Sequence, residues 1–575
     1  MTRNILRLLF LLVVICMTTV SASSQTKGVL RAADYGLKPN TYENSTPLMQ
    51  RLLQLCKEKQ VKTLLLDNGR YDFWPEGAVK REIFVSNTSD ERECPSKVKT
   101  LGILLENQQD ITIDGQGAML MFHGKMTMIA MIHCKNVTLQ NLSIDQFRPG
   151  GSELTIEKVS ADGVDVRFHP DSWYDIQNGE VSLVGEGWRT NHPHCVAYYP
   201  ATDHFQYSEG WNILQGCKAE QLEQGLVRFH APEDYKPEVG SVLTVRDRYR
   251  DEVGLLNLES EGLVVRDVNI HYMHAIGFIN QFSRDVTMQN VRCMPREGSG
   301  RVLASSADFF HFSGCSGKIS ILGCSFSGAQ DDPINVHGTN LRAMEKLSDR
   351  SLRLRFMHGQ SYGMKAFWPG DTIAFVHAES MQRFAEAVVE KVERLSDKEV
   401  ALTVDRTVPS NLLLDLDVVE NLTCTPEVEV RGCYFTHTNT RGTLVTTPRK
   451  VVIADNTYER TGNAAILIAA DAMDWFESGP VNDVTIENNR FVDCNYSGEH
   501  QNAVISIEPS NEIIDKKKPV HRNIRILNNT FETCGNRVLY AKSTQGLTFL
   551  GNKVTGTSPA DWYLLEGCSK IKLQK

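Results

Sequence analysis

Three acidic residues stand out by type and spacing. Asp308 interrupts an apolar run, Ala307-Asp308-Phe309-Phe310-His311-Phe312, where a carboxylate is out of place. Asp331 and Asp332 follow in Gln330-Asp331-Asp332-Pro333-Ile334-Asn335-Val336-His337-Gly338. Carboxylates crowded together repel one another, which lifts at least one pKa toward neutrality and keeps that group protonated. A protonated acid beside ionised ones is the equipment of glycoside hydrolysis, one group for the leaving oxygen and another for the water. The competing reading is a calcium site or an exposed acidic turn, which draws on the same residue types.

Whether the three meet depends on the elements that carry them, and those elements repeat. Val137 to Ile144, Leu263 to Ile270, Val286 to Cys293, Ile319 to Phe326 and Val428 to Phe435 share one pattern. It continues in Val451 to Tyr458, Val484 to Phe491, Ile524 to Phe531 and Leu547 to Val554. Apolar and polar residues alternate, break at Asn, Asp or Gly, and resume with an apolar residue. The breakers (Asn141, Asp267, Asn290, Gly323, Gly432, Asp455, Asn488, Asn528 and Gly551) are residue types that tolerate a left-handed bend. Units starting at 263 and 286, 428 and 451, and 524 and 547 are each 23 residues apart. A strand, a tight bend and another strand at that period predict an all-β chain, a right-handed parallel β-helix. Asn456, Asn489, Asn529 and Asn552 follow the breakers and predict a buried asparagine ladder between coils.

On this frame Asp308 and Asp331, 23 residues apart, fall at one angular position on adjacent coils, about one strand spacing of ~4.8 Å from each other. Pro333 removes a ladder donor and biases Asp332 to an extended backbone, so a local irregularity aims the neighbours at one cleft. His274, His311 and Arg441 fall within a residue or two of the same column and are candidates to hold sugar hydroxyls. Trp173, Trp188, Trp211 and Trp368 are assigned to packing rather than to sugar stacking.

Two gaps interrupt the repeat, each with alternating segments, such as Val164 to Phe168 and Leu352 to Phe356. They read as two small inserted β-barrel-like modules. The organisation is a leader at 1–22, an N-terminal cap and first coils at 23–150, and a module at 151–255. Coils carrying the acidic column occupy 256–339, a second module 340–425 and the last coils 426–575. Thr46-Pro47 ahead of Leu48, Leu52, Leu53 and Leu55 predicts an amphipathic helix that covers the open end of the solenoid. Arg3 and Arg7, the apolar run Leu8 to Ile15, and Val20-Ser21-Ala22 read as a secretory signal with cleavage after Ala22. No other apolar stretch reaches the ~20 residues that span a bilayer. The expectation is an exported protein, periplasmic or extracellular.

With 61 basic and 70 acidic residues, a net charge of −9 and no basic run, the chain is not built to track phosphates, which excludes a nucleic-acid partner. The fourteen cysteines lack metal-ligand spacing and read mostly as buried small hydrophobes. Neither a metal nor an organic cofactor is expected. The partner is an oligosaccharide or glycoconjugate.

The Asp308 and Asp331-Asp332 arrangement, with His337-Gly338 after it, resembles the inverting β-helical glycosidases typified by polygalacturonases. The Arg-Ile-Lys clamp and Asn-Thr-Asp motif of polygalacturonases are absent, which argues against galacturonate. The chain is more similar to glycoside hydrolase family 110, the bacterial exo-α-1,3-galactosidases, in its leader, β-helix, paired modules and the two acidic segments. That resemblance implies inverting removal of terminal α-1,3-linked galactose from blood-group-B-type or linear α-galactosyl glycans. It implies Asp331 as general acid, with Asp308 and Asp332 positioning and deprotonating the water. Inverting pairs sit ~6.5–9.5 Å apart, so a strict stack of Asp308 on Asp331 is too tight, and the side chains diverge or Asp332 is the main base. A β-helical hydrolase or lyase of uronate polymers, and a glycan-binding solenoid without turnover, remain as alternatives.

Overall fold

The computed structural model describes residues 28–574 except 89, 191–193 and 248–249, so the leader read at 1–22 lies outside the described residues. The chain forms a parallel β-helix. One face is a ladder of single strands that runs from Val98–Glu106 through Thr127–Ile132, Leu255–Leu258, Phe278–Gln281, Phe310–Ser313 and Ile334–Ser348. It continues through Thr443–Val445, Ile466–Ile468, Ala503–Ile507 and Arg537–Lys542 to Tyr563–Glu566. The repeated strand–bend–strand units form the opposite wall, with Leu263 beside Val286, Val428 beside Val451 and Ile524 beside Leu547.

The bends follow from residue type. All nine breakers have positive φ, between 54° at Asp267 and 70° at Gly551. The next position carries the ladder: Asn456 donates to Asn489, Asn489 to Asn529 and Asn529 to Asn552, at 2.9–3.0 Å. Each amide also satisfies backbone groups of the flanking coils, as Asn489 does for Ile453 O and the Asn456 N–H. Inside, Phe326, Phe435, Tyr458, Phe491, Phe531 and Phe549 stack one per coil, 4.4–5.9 Å between centroids. The helix Thr46–Lys59 closes the N-terminal end, with Met49, Leu52, Leu53 and Cys56 buried and Gln50 bonded to both Leu104 N and O. Its first turn is capped by Asn44, whose side chain accepts from the Thr46 N–H. The thirteen described cysteines are free, and most are buried. Among the described residues no helix is long and apolar enough to cross a membrane.

Two β modules leave the helix. The first is a seven-stranded antiparallel sheet built from Gly151–Ser160 to Val242–Arg246, with a three-stranded sheet beside it and its own core around Trp211. The second is a closed six-stranded antiparallel barrel. It begins within a rung of the helix: Ile334–Ser348 pairs in parallel at its start and antiparallel at its end. The barrel is thus a continuation of the strand that follows Asp331-Asp332.

The spacing of the acidic column needs a correction. Phe310 pairs with Ile334 and Ser305 with Ala329, so this coil is 24 residues long rather than 23. The added residue is a bulge at Gly317, between the pairs Arg284–Ser316 and Val286–Ile319, with φ of 66°. Extending the register two residues back sets Asp308 opposite Asp332, not Asp331, and continues the column from Ile276 to Arg441.

The ladder yields a stability prediction. Asn489→Leu strands buried backbone and amide partners on two neighbouring coils, which costs about 3 kcal/mol. Thermal unfolding should begin a few degrees lower; a midpoint within about a degree of the unsubstituted protein would deny the ladder its structural role.

Candidate active site

The column opens into a cavity of about 310 Å³ on the outer side of the single-strand ladder. Asp308, Asp331, Asp332, Asn335 and Arg441 form its floor. Three segments outside the regular coils wall it: Asn87 after the strand Val79–Glu82, Arg250 at the exit of the first module, and the loop bearing Asp471, Trp475 and Glu477. That loop is tied down where Glu477–Ser478 pairs antiparallel with Gly338 and Thr339. His358 of the barrel packs on Trp475 at 4.2 Å, so the barrel supports the wall it does not itself form.

Each carboxylate has a different partner. Arg250 Nη2 donates to Asp331 Oδ2 at 3.1 Å, and Arg441 Nη2 to Asp332 Oδ2 at 2.7 Å. Asp308 Oδ2 lies 2.7 Å from His311 Nδ1. The side chains therefore diverge: Asp308 turns along its own strand, while Asp332 turns toward the next coil. Asp331 keeps an open face, its side chain 26% exposed against 4% for Asp308 and 1% for Asp332.

These surroundings set the charges. Burial, reinforced by Asp331, pushes Asp308 well above the usual carboxylate range, against the weaker pull of Arg250 and Arg441. Burial also raises Asp332, although Arg441 opposes it. For Asp331 burial is outweighed by Arg250, Arg441 and Arg246, which together hold it below its ordinary value. These surroundings favour the ionised form of the most accessible carboxylate and the protonated form on the buried side.

Asp308, Asp331, Asp332 and Arg441 meet as the sequence suggested. His274 does not line the cavity; it is buried two residues off the column, within 3.5 Å of Gln146. His311 is fully buried behind Asp308, and both of its ring nitrogens are engaged. Neither imidazole is placed to touch a sugar there. Trp173, Trp188, Trp211 and Trp368 lie away from the cavity lining. Sequence reasoning missed Asn87, Arg250, Trp475 and Glu477. Trp475 had a signal, because it sits in the ten-residue excess between the units at 451 and 484.

Comparison with known proteins adds three family models. The GLAA-B beta-barrel domain I model matches residues 152–243, the GLAA-B beta-barrel domain II model 351–419, and a right-handed beta-helix model 420–554. Over 561 residues the chain is 53% identical to an alpha-1,3-galactosidase A of Bacteroides fragilis, covering 96% of this chain and 93% of that protein. It is 36% identical to an alpha-1,3-galactosidase B of Bacteroides thetaiotaomicron, covering 94% and 87%. An alpha-1,3-galactosidase A of Streptomyces avermitilis is 33% identical, with 96% and 93% covered.

The raised Asp308 predicts a pH signature in stability. A carboxyl whose folded pKa is raised lends stability below its unfolded value, and that stability is lost as pH climbs through the folded value. Asp308→Asn keeps the shape and a donor toward His311 Nδ1 without the charge. Its unfolding midpoint should exceed that of the unsubstituted protein at pH 8, with the gap closing on acidification. A gap that widened as pH fell would contradict this ordering of charges.

Proposed function

The chain belongs to glycoside hydrolase family 110, the α-1,3-galactosidases, and from that premise we propose that it removes single terminal α-1,3-linked galactose residues with inversion at the anomeric carbon. The observation that carries the reading is the floor of the cavity, where one accessible carboxylate stands beside two buried ones within a walled space of about 310 Å³. An open ladder face would suit an internal stretch of polymer; a walled cavity suits a chain end. Trp475, 40% exposed, offers a flat apolar surface to the sugar, and Asn335, Arg441 and the Asn87–Glu477 pair offer polar contacts for its hydroxyls.

Asp331 is the acid in this reading. It delivers its proton to the glycosidic oxygen as the C1–O bond breaks, and that bond pair leaves with the aglycone alcohol. A water on the opposite face attacks C1 and gives a proton to the buried pair Asp308 and Asp332, so galactose and the alcohol carry between them the atoms of glycoside plus water. Arg250, Arg441 and Arg246 favour the ionised form of Asp331. A galactoside covering its open face removes water from it and strengthens the burial effect that favours the acid form. Blood-group-B-type and linear α-galactosyl glycans both present the required terminus. The leader read at 1–22 would place this chemistry outside the cytoplasm.

Leaving-group dependence tests the acid. Asp331→Asn should cut turnover of an α-1,3-galactosyl disaccharide by ~10²–10⁴-fold, while an activated aryl α-galactoside, which needs little protonation, loses far less. Equal losses on the two substrates would remove Asp331 from that role.

The pH profile of kcat/KM offers an independent check. Arg250→Gln removes a charge that holds Asp331 down, so its pKa rises. If Asp331 is the acid, the alkaline limb moves up; movement of the acidic limb instead would make Asp331 the base.

A further inference from the structure

Behind Asp308 lies a chain of hydrogen bonds that the proposed reaction does not yet use. Asp308 Oδ2 meets His311 Nδ1 at 2.7 Å, His311 Nε2 meets His337 Nε2 at 2.9 Å, and His337 Nδ1 meets the Gly338 carbonyl at 2.7 Å. All three side chains are buried, the imidazoles at 0% and 2% exposure. The carbonyl at the far end can only accept, so His337 Nδ1 carries a hydrogen. A neutral His337 then presents a lone pair at Nε2, and His311 Nε2 must donate to it. A neutral His311 in turn presents a lone pair at Nδ1, which leaves Asp308 to supply the hydrogen for the last contact. Three hydrogen bonds need three protons, and two neutral imidazoles bring only two.

We infer that His311 and His337 are positioning residues that keep a proton on Asp308, so that Asp308 only orients the water and Asp332 is the base that deprotonates it. The inference rests on the hydrolytic reading of this cavity and deepens it. Charge balance agrees, since Arg250 pairs with Asp331 and Arg441 with Asp332. The groups that face the array are Glu477, 3.5 Å from His337 Nε2, together with Asp331, Asp332, Arg250 and Arg441. Burial depresses the basicity of both imidazoles, His311 to about 4, which favours the neutral rings that the chain requires. With Asp308 neutral, its second oxygen still accepts a hydrogen bond from the water. Asp332 Oδ1, buried and without a hydrogen-bond partner among the described residues, takes the proton.

Two substitutions separate this from a packing role. His311→Asn sets an amide donor where the imidazole Nδ1 stood, which stabilises ionised Asp308. The added negative charge beside Asp332 should move the acidic limb of kcat/KM upward by about one pH unit, with KM little changed. His337→Gln retains an acceptor for His311 Nε2–H and a donor for the Gly338 carbonyl, so its limb should coincide with that of the unsubstituted protein. Thermal stability against pH reads the same array without turnover: the decline expected as pH rises through the Asp308 pKa should persist in His337→Gln and vanish in His311→Asn. A His311→Asn profile that keeps the original limb at reduced rate would overturn the inference. So would a His337→Gln limb displaced as far as that of His311→Asn. If the unsubstituted protein released no galactose from α-1,3-galactosides, the hydrolytic reading would fail, while the stability curves would still decide the proton count.

Discussion

The site depends on the parallel hydrogen-bond ladder that holds Phe310–Ser313 against Ile334–Ser348. In a parallel ladder the register is collective: a one-residue slip would carry every following side chain to the other face of the sheet. The bulge at Gly317 adds its residue before the rung that bears Asp331 and Asp332, so it shifts the column without breaking either face. As a result Asp308 stands level with Asp332 and Arg441, and Asp331 is left one position early, with the most exposed side chain of the three. That offset gives the three carboxylates unequal exposure, and unequal exposure is what allows them unequal roles.

Charge then sorts the column. Three carboxylates share the floor, and among the described residues Arg250 pairs with Asp331 and Arg441 with Asp332. Buried like charges without compensation are costly, and neutralising one of them costs less than desolvating all three. The histidine pair behind Asp308 answers this by retaining a proton, the arginines around Asp331 answer it by supplying cations, and at Asp332 Arg441 opposes the rise that burial imposes. The site is therefore stable with its groups displaced from their ordinary pKa values, and a substrate can change the balance only at Asp331, where the floor is open.

Much of this was legible in the sequence because a solenoid writes its geometry as a period. The breakers at Asn141 through Gly551 fixed where the chain bends, and the asparagines after them fixed the ladder, since both are local properties of residue types. The acidic column was legible to within one residue. The remaining residue was hidden in Gly317, whose effect is visible only once its coil is paired with the one before. Arg250, Asn87 and Trp475 were less accessible still. They lie in segments outside the period, and nothing in their own neighbourhoods records which coil they return to. His311 was recognised as near the column but given to the sugar. Strand alternation gives the face on which a side chain emerges, not what covers it, and here the cover is Asp308 on one side and His337 on the other.

The inserted segments explain how a repetitive scaffold acquires a terminal-residue site. The ladder face of a β-helix is a row of equivalent rungs, so by itself it has no beginning or end for a ligand to find. Asn87, Arg250 and Trp475 reach the floor from the N-terminal segment, from the exit of the first module and from a loop between coils. The barrel braces the last of these through His358. Each wall removes solvent from one side, which raises the strength of every charge interaction on the floor and blocks the path a longer chain would need. The barrel grows directly out of the strand that follows Asp332, so the brace and the floor share one continuous backbone. A change in barrel packing would accordingly act on the wall through His358 and Trp475 before it acted on the carboxylates, and would alter which glycans enter more than how fast the bond breaks.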